Sequence, residues 1–443
     1  MATAIQFIEK SHRILRGPIA SSAAITTLYR LFNMGTGFVI VAILGAQLGG
    51  AGFGYFSLGL GVAMLIAAVV QSGMEIFLVR NVARYAAQSQ WPELKGVSKF
   101  ALSIVLVIAA LSALFIAGSI LYRGISHDDA LFEVTLVGFA IAPIICLNSV
   151  ATSILRGLMK MGRAYFPQLV LVQICHLITI LFLLAIDALT PQTALISLAA
   201  AWSVATILSW VWTWQYWPES GRKSLSQMYI GDWSRSALLL LAGGAVGIMI
   251  GRIETIALAQ FSTPLQIGLF AFAFRFAQLA TFPGFALASG LDPVVATLHA
   301  KNDHKTLSER VLLATRLSVL GAALISIAIG VGARFIFPII APEFINAVPV
   351  VIILSIGFTM QAAAGRPFAV LSIMGQEKVS AIICTIAAII GLLLVFVLAA
   401  KFGAIGTAIA TAMIIAATPM TLAYTLWQRT GIRCDLLASF AAK

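Results

Sequence analysis

Sixty percent of this 443-residue chain is apolar and only 10% is charged. That composition excludes a disordered chain and an ordinary soluble globule, and it points to a protein that crosses a bilayer many times. The net charge of +12 would suggest nucleic-acid binding in a soluble domain, but here the basic residues fall mainly between apolar runs, where the positive-inside rule accounts for them and no nucleic-acid partner is needed.

Residues 1–18 carry Lys10, His12, Arg13 and Arg16 ahead of Pro18. This stretch reads as a cytoplasmic segment, either amphipathic at the interface or a plain tail. It does not read as a cleaved signal peptide, because the apolar run behind it is long and contains Arg30. Apolar runs of spanning length then follow near 20–45, 53–79, 98–121, 131–155, 165–188, 193–215, 235–261, 266–294, 311–337, 346–373, 378–399 and 404–427. The expectation is an all-α polytopic membrane protein with twelve transmembrane helices. A six-helix bundle occupies 19–217, a cytoplasmic linker 218–234, a second six-helix bundle 235–428 and a cytoplasmic tail 429–443.

Orientation follows from the cations. Of 28 Lys and Arg, twenty lie at the termini or in loops after even-numbered spans, and the opposite loops hold Arg123, Arg334 and Lys401. Both termini are therefore expected to be cytoplasmic. The remaining five, Arg30, Arg252, Arg275, Arg316 and Arg366, fall within spans.

The chain also repeats itself weakly. IxxAQ at 43–47 recurs at 256–260, and Gly54-Tyr55-Phe56 parallels Gly268-Leu269-Phe270. Met161-Gly162 parallels Met374-Gly375, and Trp214-Gln215 parallels Trp427-Gln428, always at an offset of 213 or 214. Halves of six spans share one orientation, so a pseudo-two-fold axis along the membrane normal is expected, with a cavity between them.

The eighth span carries the sharpest signal. Arg275 lies about 10 Å into it at ~1.5 Å per residue, too deep to snorkel easily from a ~30 Å hydrocarbon layer. On lipid it would cost at least ~2.5–3.5 kcal/mol. Arg275, Gln278 and Phe282 share a helix face, and Pro283 interrupts the backbone ladder behind them. A kinked helix with an arginine stripe is the expected wall of a water-filled transport cavity.

Other spans add candidates. Thr26, Arg30, Asn33 and Gly37 form one stripe on the first span, read as cavity wall over an interhelical seam. Arg252 and Glu254 sit two apart and face different ways. Arg366 lies in AAAGRP, a local sequence for a broken helix, and competes with a snorkelling role at the cytoplasmic side; Arg316 reads as snorkelling. Glu75 shares a stripe with Gln71 and is a candidate for arginine pairing or ion coupling, as is Glu254. Arg30, Arg252, Arg275 and Arg366 against Glu75 and Glu254 leave an interior excess of +2, so anions are the expected cargo, and arginine forks suit phosphate and carboxylate.

Enzyme signatures are missing: no HExxH, no GxGxxG after a strand, no P-loop and no DxD-type cluster. Asp128-Asp129 reads as a solvated turn. The four cysteines form no ligand spacing, and His176 reads as a satisfied helix residue. A non-enzymatic transporter without cofactors is expected, drawing on a proton or sodium gradient, membrane potential or substrate flux.

The stretch LGGAGFGYFSLGLGVAMLIAAVVQSGMEIFLVRNVARY, followed by WPELKG, resembles the second-helix region of bacterial polysaccharide flippases. The stretch from GLFAFAFRFAQLATFPG through APEFINAVPVVIILSIG to GRPFAVLSIMGQEK is similar to their C-terminal repeat. These belong to the multidrug/oligosaccharidyl-lipid/polysaccharide exporter superfamily. The resemblance implies two V-arranged six-helix bundles with alternating access, and a polyprenyl-pyrophosphate-linked oligosaccharide flipped from the cytoplasmic to the periplasmic leaflet of the inner membrane. It also implies partnership with polysaccharide polymerase and chain-length machinery. It extends to residue roles at Arg30 and Arg275, on helices where related lipid-linked peptidoglycan precursor flippases also carry arginines. The competing expectations are a cation-coupled multidrug exporter of the same superfamily, which would put a carboxylate on the first helix, and a membrane glycosyltransferase or polymerase, which would need a large catalytic loop.

Overall fold

The computed structural model describes residues 18–122, 129–249, 252–287, 291, 295, 298, 303–374 and 376–436. The predicted segment 1–18 therefore lies almost wholly outside the described residues, as does Asp128. Among those described, every regular element is helical: α1 Pro18–Val69, α2 Glu75–Ala87, α3 Trp91–Tyr122, α4 Asp129–Gly157, α5 Met161–Phe166, α6 Val172–Ala185, α7 Pro191–Tyr216, α8 Glu219–Lys223, α9 Ile230–Met249, α10 Ile253–Phe261, α11 Pro264–Ala277, α12 His304–Ile340, α13 Val348–Ala363, α14 Pro367–Ile373 and α15 Glu377–Thr430. Nine helices among the described residues are long and apolar enough to cross a membrane.

Local chemistry explains the breaks. Gly49 (φ 67°) interrupts α1 and Gly403 (φ 57°) interrupts α15, both in a left-handed region that costs glycine little. They fall in the predicted 46–52 and 400–403 connections. Each is followed by a free helical N-terminus that needs an acceptor. The Ala404 N–H finds Gln266 Oε1 at 2.8 Å, and the Gly50 N–H finds Glu343 Oε2 at 2.5 Å. Thr190 and Thr193 form a reciprocal capping box ahead of α7, with Pro191 in the first turn. Pro283, which has no N–H, follows a 3₁₀ turn at Gln278–Thr281, so the predicted distortion of the eighth span is present just ahead of the proline.

The seventh span differs from its predicted 235–261 form. It starts at Ile230 in α9, and ahead of α10 Arg252 leaves helical geometry in a turn (φ −124°, ψ −42°). The linker segment is held down along its length. Lys95 Nζ donates to the carbonyls of Arg222 (3.0 Å) and Ser224 (2.8 Å), Lys99 Nζ reaches Ser226 Oγ at 3.1 Å, and the Gln227 N–H donates to Pro92 O at 3.0 Å. Gly96 passes so close to the Gln227 carbonyl that a Cβ would collide with it. The predicted tail from 429 is likewise packed over 432–436: Thr315 Oγ1 donates to Cys434 O at 2.9 Å, and the Leu436 N–H donates to Ala363 O at 2.8 Å.

The helices before residue 217 pack on one another through α1–α4, α4–α7, α3–α4 and α6–α7. Those after residue 264 pack through α12–α13 and α13–α15, and α1 meets α11 between the two sets. Their outward faces, such as Leu106, Leu114, Ile207 and Leu320, are exposed, as lipid-facing leucines and isoleucines must be. Without a hydrophobic driving force in lipid, close packing holds such helices together. Between α1 and α11 the closest packing lies at the end opposite the basic loops. There a Cβ on Gly54 would strike the Pro264 carbonyl, and one on Gly268 would strike the Gly50 carbonyl. Phe272 stacks on Phe344 at 3.9 Å and meets Phe53 and Phe337 edge-on, and Phe38 meets Phe276 at 4.5 Å. Aromatic pairs of this kind contribute about 0.5–1.5 kcal/mol each. At the basic end the arrangement is looser. Leu28, Leu31 and Phe32 on α1 and Phe285 past α11 are exposed, and nothing lies within 4 Å of where a Gly35 Cβ would be. The molecule is closed at one end and open between α1 and α11 at the other.

Candidate functional site

Two walls flank this opening. On the first, the α1 stripe faces α5 and the π-helical turn Pro167–Leu171. That turn breaks the regular ladder, and the Leu169 carbonyl accepts from Asn33 Nδ2 at 3.3 Å. Arg30 is exposed, with its guanidinium 5.9 Å from the Tyr165 ring centre. Arg156 approaches the same ring at 5.6 Å and pairs with Glu75 at 2.9 Å. Thr26 is half-buried on the same helix. Arg30, Tyr165, Arg156 and Glu75 thus form a connected cluster.

Arg156 and Tyr165 escaped the sequence reading, which counted Arg156 among the loop cations. The available signal was Glu75 itself, since a carboxylate held within the bilayer needs a cation from a neighbouring helix. This pairing also removes Glu75 from the candidates for balancing Arg275. Glu75→Ala is expected to leave Arg156 uncompensated and to cost about 1–3 kcal/mol, less than a fully buried pair because both side chains keep about a fifth of their exposure (21% and 22%). The amount of inserted protein should fall while export per inserted molecule holds, as quantified by immunoblot of membranes against surface glycan.

On the second wall, Arg275 is exposed although its helical neighbours Phe276 and Ala277 are buried, so its side chain leaves the packed face. Its Nη1 is 3.4 Å from Gln278 Oε1, along the predicted stripe. Arg252, in the turn ahead of α10, lies within electrostatic range of Arg275 and of Glu254. Glu254 turns inward, is buried and accepts from Thr411 Oγ1 at 3.1 Å.

Arg366 is half-buried in the turn between α13 and α14, next to Gly365 (φ 73°), whose backbone abuts the Cys434 carbonyl in the packed tail. The broken helix expected from AAAGRP is there, at the basic end. His176 is buried, stacked on Phe56 and with Nε2 3.3 Å from the Ala194 carbonyl, an ordinary satisfied helix residue.

Arg275, which leaves the packed face of its helix, with the Arg252 guanidinium in electrostatic range, can form paired hydrogen bonds to an oxyanion and is suited to phosphate. The fold that holds them is a known transporter architecture. The chain superposes on an inward-facing multidrug resistance MATE family transporter of the MOP superfamily with a TM-score of 0.73, at 14% identity over 95% of this chain and 99% of that one. The lipid II flippase MurJ, in an inward closed conformation, matches with a TM-score of 0.71 at 16% identity, over 91% of this chain and 87% of that one. An outward-facing MATE family transporter of the MOP superfamily gives 0.60 at 15% identity, over 95% and 97%. The class is therefore a multi-pass membrane protein with the MOP-superfamily fold. No curated protein matches by sequence. Residues 19–299 match the family model described as polysaccharide biosynthesis protein, and the chain belongs to that family.

Proposed function

We propose that this protein is a flippase that moves a polyprenyl-pyrophosphate-linked oligosaccharide from the cytoplasmic to the periplasmic leaflet of the inner membrane, for surface or exopolysaccharide synthesis. The observation that carries the reading is Arg275, set at span depth yet exposed, with Arg252 in range. A pyrophosphate supplies the oxyanions such a pair is built to take. The protein acts by alternating access and performs no covalent chemistry. Dividing α1 at Gly49 and α15 at Gly403, and counting 230–261 as one further span, gives twelve spans. With the basic loops cytoplasmic, both termini are cytoplasmic and the opening faces inward. The reciprocal contact of Gly50 and Gly54 with Pro264 and Gly268, paired at the repeat offset of 214, supports two bundles related by a pseudo-two-fold axis. Glu254 is the proposed site for a coupling proton or sodium ion, and polymerase and chain-length proteins are the proposed partners.

A second reading, a cation-coupled multidrug exporter, draws on the MATE likeness and on buried Glu254. It is disfavoured because residues 19–48 contain no Asp or Glu and instead carry Arg30. Deleting the gene decides between them. The flippase reading expects lipid-linked oligosaccharide to accumulate on the cytoplasmic leaflet with unchanged resistance to cationic dyes. Dye hypersensitivity with an intact surface glycan would install the exporter instead.

A further inference from the structure

A second polar cavity lies apart from the central opening, where the end of α2 meets the start of α9. It has a volume of about 390 Å³ and is lined by Phe77, Arg80, Asn81, Arg84, Tyr85, Asp232 and Trp233, among others. That size falls in the ~300–1,000 Å³ range of ligand clefts. Arg80 and Arg84 are one helical turn apart and share a face. Arg84 is held ready: its Nη2 donates to Asn81 Oδ1 at 3.0 Å and to Tyr85 Oη at 2.8 Å, and Tyr85 Oη also accepts from Trp233 Nε1 at 3.3 Å. Arg80 is exposed. Asp232 is the acid on the lining, placed in the first turn of α9, where its charge complements the helix dipole. Phe77 and Leu240 supply the apolar part.

We infer that this cleft binds the phosphate of a lipid headgroup. Arg80 directly follows the apolar run that ends at residue 79, so the guanidiniums sit at headgroup level. Tyr85, Tyr229 and Trp233 are the aromatic types that settle at that level. The phosphate would lie between Arg80 and Arg84 while the acyl or prenyl chain runs along Phe77 and Leu240. Because α2 and α9 belong to the two sets of helices, an occupant links them at the basic end. The same phosphate chemistry has two sources, a membrane phospholipid or the carrier pyrophosphate on its way in.

Native mass spectrometry of the full chain, titrated with dioleoylphosphatidylglycerol, tests the site by binding and so stands apart from transport. Wild type should take up one lipid that the Arg80→Gln/Arg84→Gln double variant binds about tenfold or more weakly. Arg80→Gln by itself leaves the Arg84–Asn81–Tyr85 network in place and should still weaken binding severalfold, which guards against a folding defect in the double variant. Arg275→Ala, which leaves this cleft intact, should bind as wild type does. Displacement by undecaprenyl pyrophosphate names the carrier as the source; retention of the phospholipid in its presence names the membrane. Wild-type affinity in both arginine variants, or equally tight binding of dioleoylglycerol, which lacks phosphate, overturns the inference.

Discussion

Arg275→Ala is expected to abolish export while leaving the protein folded and inserted. The side chain already leaves the packed face of α11, so its removal opens no hole among Phe272, Phe276 and Phe337. What is lost is a charge-assisted contact worth about 1.5–3 kcal/mol, which is roughly ten- to hundredfold at about 1.4 kcal/mol per decade. Arg275→Lys should retain part of the activity, since the charge stays and the planar fork goes. Surface polysaccharide per molecule of inserted protein is the measurement. Near-normal export by the alanine variant would remove Arg275 from the binding role, and so would activity that falls only in step with abundance, the pattern expected of Glu75→Ala.

Gly268→Ala should jam the closed end. Its Cβ would occupy the place of the Gly50 carbonyl oxygen, and neither group can swing aside because both belong to helix backbone. The helices must separate there, at the ~1–3 kcal/mol typical of overpacking. That cost falls on the state in which they touch, so the balance between states shifts about 5- to 150-fold toward opening at this end. Spin labels at the exposed positions Ala51 and Asn346 should report a longer distance in the variant than in wild type, together with reduced export. An unchanged distance distribution would show that the crossing is not part of the moving gate.

The positions of the spans were legible because the apolar runs are long and the punctuation is strong. Gly49 and Gly403 stand where the chain must leave helical geometry, and Pro283 and Gly365 mark real irregularities. Arg275 stands out in the sequence for an energetic reason: a guanidinium at that depth is costly on lipid. The reading failed where the answer depended on which helices become neighbours. Arg156 looks like any loop cation until α4 is packed against α2 and Glu75 reaches it. Lys95 and Lys99 read as topological signals, yet in the fold they fasten the joining segment to α3. Gly365 beside Arg366 looked like part of a broken helix, but that its backbone abuts the Cys434 carbonyl depended on where the last residues pack. The turn at Arg252 had no proline to announce it.

The contact between Gly50, Gly54, Pro264 and Gly268 also bears on ancestry. Each glycine–carbonyl approach is the image of the other at an offset of 214 residues. In a half-length precursor that paired with itself, the same contact would have been one surface meeting its own copy across a true two-fold axis. Duplication and fusion would then have carried a working seal into the single chain, freeing Arg275 and Arg30 to diverge on the two sides of it.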